Sequence, residues 1–198
     1  MTQLPINEFG LIFIKGTHMI KFKKIKETKE IFDASYFFLV RDLKSNQDLS
    51  KNSDSDIIDD IIKSKYHNWR GEDEPEGLTF SISKFGINKP LNNFKFYGFF
   101  DNGKISSLNY KRVVFEEFKK KMFAVIHECD NDENAYEIRA QKIINAVINP
   151  TAIFYHLDLN EEINTDMVAE WTSYSLFIAF ISLDKQNNIA TLIEFGQD

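Results

Sequence analysis

A chain of 198 residues, 43% apolar and with a formal net charge of −6, has the length and hydrophobicity of one α+β domain and is too apolar for a disordered chain. The acidic balance argues against a dedicated nucleic-acid binder and against a protein that adsorbs to anionic membrane, since both draw affinity from lysine and arginine. A single cysteine, Cys129, excludes an internal disulfide framework and fits a reducing, cytoplasmic setting.

Nineteen phenylalanines against two tryptophans call for at least two layers of structure to bury the rings. The abundance of isoleucine, lysine, asparagine and phenylalanine suggests an AT-rich coding genome of bacterial or phage type. There is no uninterrupted run of about 18 apolar residues, and no basic segment precedes the apolar residues 9–14, so neither a membrane span nor a secretory signal is expected. Residues 1–18 read as a leader or an extra strand ahead of Met19, with residues 19–198 forming the domain.

In chain order, residues 9–14 have the composition of a short strand, and Ile20, Phe22 and Ile25 alternate with lysines as a second. From Thr28 the spacing of Ile31, Phe32, Ser35, Tyr36, Leu39 and Leu43 predicts an amphipathic helix to about Lys44. Ser53-Asp54-Ser55-Asp56 supplies cap residues for a helix bearing Ile57, Ile58, Ile61 and Ile62, ending near Trp69. The acidic stretch RGEDEPEG, residues 70–77, breaks it. Strands are expected over residues 78–83, 94–100 and 104–108, the last two joined by Asp101-Asn102-Gly103. Helical spacing then covers residues 110–128 and, after Asp130-Asn131-Asp132, a further helix reaches Asn149-Pro150. Residues 151–159 form a strand.

The last third is the most strongly patterned. Apolar runs 173–183 and 189–195 flank Asp184-Lys185-Gln186-Asn187-Asn188, a β-hairpin signature. In the first arm Leu176, Ile178 and Phe180 alternate with Phe177, Ala179 and Ile181, so both faces are apolar and the strand belongs inside a sheet covered on each side. Pairs of helices alternating with hairpins predict an α+β fold, a mainly antiparallel sheet with two helix pairs packed on it and the C-terminal hairpin at its centre.

Chemical motifs are few. There is no G-x-x-x-x-G-K, G-x-G-x-x-G or G-x-S-x-G. His127-Glu128-Cys129-Asp130 cannot converge on one metal ion, because adjacent helical positions point about 100° apart. No metal site or cofactor is therefore expected, and His127 reads as a favourable charge near a helix C-terminus. His156 and Asp158 share a face of one strand, with Glu161 and Glu162 following. A histidine oriented by a carboxylate is the raw material of a small hydrolase or metal-dependent nuclease, but no nucleophile is evident. The acids of the capped helix, Asp54, Asp56, Asp59 and Asp60, suit its positive end.

A sharper signal is the meeting of aromatic and acidic residues at Tyr66, His67, Trp69, Glu72, Asp73, Glu74 and Glu76. Aromatic rings supply interface area, and carboxylates steer a basic partner. The expectation is a non-enzymatic protein-binding or inhibitory protein, of the immunity-protein, antitoxin or enzyme-inhibitor type, that docks this surface on a basic protein. The alternatives are the His156/Asp158 enzyme and a subunit of a larger assembly.

Overall fold

The computed structural model describes residues 19–32, 36–67, 96–97, 100–129, 134–158 and 176–197. β1 (Phe22–Ile31) and β2 (Tyr36–Ser45) come first, then helix α1 (Asp54–Ile62), a two-stranded ladder of β3 (Phe96–Tyr97) and β4 (Phe100–Asp101), and β5 (Tyr110–Val113). Helices α2 (Phe115–Cys129) and α3 (Ala135–Val147) follow, then β6 (Ile153–Leu157), β7 (Phe177–Asp184) and β8 (Ile189–Gln197). Six strands form one antiparallel sheet in the order β1-β2-β8-β7-β6-β5. The fold is α+β, and the C-terminal hairpin supplies the two central strands.

The double-sided pattern of that hairpin has the expected consequence. Ala179, Ile181 and Leu183 of β7, with Ala190 and Leu192 of β8, join one core with the α1 isoleucines. Ile178, Phe180, Ile193 and Phe195 point the other way, against Phe118, Met122 and Ile126 of α2 and Ala140 and Ile144 of α3. The helices are thus divided as α1 on one face and the pair α2 and α3 on the other, not as two pairs. Burial of apolar side chains on both faces is the main stabilising contribution. The turn at 185–188 closes with Asn188 at φ 54, a left-handed conformation that asparagine tolerates. The Asn188 carbonyl accepts from Ser45 N–H and its side chain accepts from Leu49 N–H, tying the turn to the end of β2.

α1 starts as its cap residues dictate. Ser53 Oγ accepts from the Asp56 N–H at 3.2 Å, and Ile57, Ile58, Ile61 and Ile62 all face the core. Its acids are docking points: Asp60 accepts from Ile20 N–H at 2.7 Å, Asp59 from Ser107 N–H at 2.8 Å, and Asp54 from Tyr155 Oη and Lys185 Nζ. Ser53→Ala should therefore lower folding stability by about 1 kcal/mol, read as a reduced urea midpoint at unchanged denaturant slope.

Three predicted elements are corrected. The helix over residues 28–44 is absent; the chain there ends β1 and forms β2, because Phe37 to Val40 is apolar on both sides of an internal strand and a continuous apolar run carries no unique period. The helix over residues 110–128 begins only at Phe115, since Tyr110 and Val113, three apart and both buried, belong to the four-residue strand β5. Residues 104–108 form no strand; Asn102–Lys104 and Ser107–Asn109 are single 3₁₀ turns, and Asp101, expected in a turn, is the last residue of β4 and pairs with Phe96. The predicted strand at 78–83 and the segment 1–18 lie outside the described residues. Among those described, no helix is long and apolar enough to cross a membrane.

Candidate functional site

Among the described residues, the most deeply buried meeting of titratable groups lies inside the protein on the α1 side of the sheet. Arg41 of β2 and Glu194 of β8 are diagonal neighbours on adjacent strands, since Arg41 pairs with Leu192 and Leu39 with Glu194. Arg41 Nη2 donates to Glu194 Oε1. Beside them lie Tyr97 of β3, Tyr110 of β5, Asn102 of the first 3₁₀ turn, and His67 just beyond α1. All six residues are at most 7% exposed.

The hydrogen bonds fix the state of His67. Asn102 Nδ2 donates to the carbonyls of Ile62 and His67, both at 3.2 Å. Its Oδ1 must then accept from His67 Nδ1, 2.7 Å away, so Nδ1 carries the proton. His67 Nε2 is left as the acceptor for the Tyr110 hydroxyl at 2.8 Å. A neutral imidazole satisfies every partner, and burial, first among the causes, pushes its pKa down to about 3 despite the Asn102 hydrogen bond. The ring stacks on Tyr97 with centroids 3.5 Å apart, and Tyr97 meets Phe177 edge-on at 5.4 Å.

The Tyr97 hydroxyl is near enough to Glu194 and Tyr110 to bias the ionisation of both, without completing a hydrogen bond of good geometry. Burial holds the Tyr97 and Tyr110 hydroxyls far above their ordinary pKa, and it raises Glu194 as well, with Arg41 opposing. The satisfied part of this network, His67 with Asn102 and Tyr110, fixes the orientation of the ring.

The residues singled out by sequence fall in several places. Tyr66 and His67 are buried, Tyr66 in the α1 core and His67 in the network. Trp69, Glu72, Asp73, Glu74 and Glu76 lie outside the described residues. His156 is half-buried on the α2 side, its ring 4.9 Å from that of Phe180. Burial and then Lys121 lower its pKa, while Asp158 and Glu117 pull the other way. Asp158 is exposed; its backbone N–H donates to the Asn109 carbonyl at 2.8 Å, and among the described residues its side chain makes no hydrogen bond to His156.

His127 Nε2 pairs with Glu137 Oε2 of α3 at 2.6 Å, in a shallow depression that also includes Asn134, Ile138 and Gln141. Cys129 is buried with its thiol donating to the Val125 carbonyl, and Glu128 is exposed. Asp130 is outside the described residues. Among those described, no three His, Cys, Asp or Glu side chains are grouped to hold a metal ion.

Sequence reasoning passed over Arg41, Tyr97, Asn102, Tyr110 and Glu194. A usable signal was present for two of them. Glu194 is the one charge in the apolar strand β8, and Arg41 directly follows the apolar run 37–40 of β2; a charge in such a place needs a partner. Comparisons with protein-family models, curated proteins and solved structures return no match.

Proposed function

We propose that the chain is a cytoplasmic, non-enzymatic binding or inhibitory protein, of the immunity-protein, antitoxin or enzyme-inhibitor type, docking an acidic surface on a basic partner protein. What supports this reading is the acidic, aromatic composition of residues 69–76 and the way the chain just before them is held. His67, held by Asn102 and Tyr110 and stacked on Tyr97, is a fixed root two positions before Trp69 and five before Glu72. Tyr66 and His67 serve as this root and lend no contact area, which falls to Trp69, Glu72, Asp73, Glu74 and Glu76. The net charge of −6 favours encounter with a basic surface.

The test is capture of a partner at low salt by the full chain and by a variant carrying E72Q, D73N, E74Q and E76Q. Capture by the native chain should fall steeply as salt rises, and the neutralised variant should lose at least about tenfold in affinity. Equal capture by both, with no salt dependence, would defeat the reading.

A further inference from the structure

β1 is an edge strand of the described sheet, ten residues long, with most of its side chains exposed. Long edge strands are normally protected by lysines and bulges, which keep a second chain from adding on. β1 has a bulge, but only near its start, where the register slips between Lys24 and Lys26. From the bulged residue Ile25 onward the sequence Ile25-Lys26-Glu27-Thr28-Lys29-Glu30-Ile31 is not uniformly basic. Read backwards, it exchanges every charge for its opposite.

We propose that β1 pairs antiparallel with β1 of a second copy about Thr28, joining the two six-stranded sheets edge to edge. In this register Lys26 faces Glu30 of the second copy, Glu27 faces Lys29, Ile25 faces Ile31, and the two threonines face each other. Each is a favourable cross-strand pair. The alternation fits the sheet as well. Lys26, Thr28 and Glu30 pair with Asp42, Val40 and Phe38 of β2, whereas Glu27 and Lys29 pair with Arg41 and Leu39. The two charge pairs therefore lie on opposite faces of the joint and do not compete.

Ile25 and Ile31, 51% and 59% exposed, are the apolar groups that the pairing would cover. The carboxylates are already positioned. Lys24 Nζ holds Glu27 at 2.9 Å, and Arg139 binds Glu30 through Oε1, leaving Oε2 without a partner among the described residues.

Other registers are disfavoured by the same charges. A slip of one residue sets Lys26 against Lys29 or Glu27 against Glu30. A slip of two sets Glu27 or Lys29 against itself. Like charges directly opposite one another are destabilising, so the centre at Thr28 is specified as well as permitted.

Sedimentation equilibrium of the full chain across the micromolar range tests this. The native chain should approach twice its chain mass as concentration rises. Glu27→Lys and Lys29→Glu each place like charges opposite one another twice in the symmetric dimer, and each should weaken self-association by about tenfold or more. Both positions are solvent-exposed, so neither change threatens the fold. An equimolar mixture of the two variants restores opposite charges and should restore association. A native chain that stays monomeric leaves the edge to a strand of another protein and overturns the proposal. Variants that dimerise like the native chain, or a mixture that does not recover, overturn it too.

Discussion

Arg41→Met is expected to cost about 3–5 kcal/mol of folding stability, because it strands the Glu194 carboxylate in the core without its counter-charge. That is a large part of the roughly 5–15 kcal/mol a domain possesses. Glu194 is fully buried and, among the described residues, its second oxygen completes no hydrogen bond, so its charge depends on Arg41. Removing both charges tells a different story. Arg41→Met with Glu194→Leu replaces an ion pair by apolar side chains whose cross-strand partners, Leu192 and Leu39, are apolar and buried already. The double variant should return to within about 1 kcal/mol of the native chain or exceed it. The two changes are therefore strongly non-additive, and urea titrations of both single variants and the double would measure the coupling. A double variant as unstable as Arg41→Met would mean that the pair contributes more than its own desolvation costs.

That pair also shows where sequence patterns stop being informative. Period-two alternation identified β7 and β8, because each carries apolar residues on both faces and the flanking Asp and Asn residues close a short turn. Ser53 and the α1 isoleucines were equally legible, since a cap and a stripe are local features. β2 was not. Phe37 to Val40 is apolar at every position, and such a run fits a helix or a doubly buried strand until its neighbours are known. The interior network was hidden for a related reason. Its members come from β2, β3, β5, β8 and two turns, up to 153 positions apart in the Arg41–Glu194 bond, and no local spacing announces such a meeting. His67 illustrates the cost. Beside Tyr66 and Trp69 it reads as part of an aromatic contact patch, whereas its partners Asn102 and Tyr110 draw it inside.

The buried state of His67 has a consequence for pH. Its pKa is about 3 when folded against an ordinary value of 6.5, so between those limits the unfolded chain binds a proton that the folded protein does not. Stability must then fall as pH falls through this window, by at most about 1.4 kcal/mol per pH unit from this one group. Above about pH 7 both states are neutral at this site and the contribution is constant. Ordinary carboxylates titrate below about pH 5, so the interval from pH 6.5 to 5 is where His67 contributes with least interference. Glu194, whose pKa burial raises, acts there only with the opposite sign. His67→Gln, which keeps a donor and an acceptor near Asn102 and Tyr110, should be less stable overall but show a much shallower slope there. A small slope of the same sign should persist in it, because burial and Lys121 also depress His156. The ¹⁵N shifts of His67 in the native chain should report a protonated Nδ1 and a bare Nε2 throughout this range. A variant with the native slope, or a ring that takes up a second proton near pH 6, would mean that the network opens to water. In that case the root proposed for the acidic segment would be a loose one.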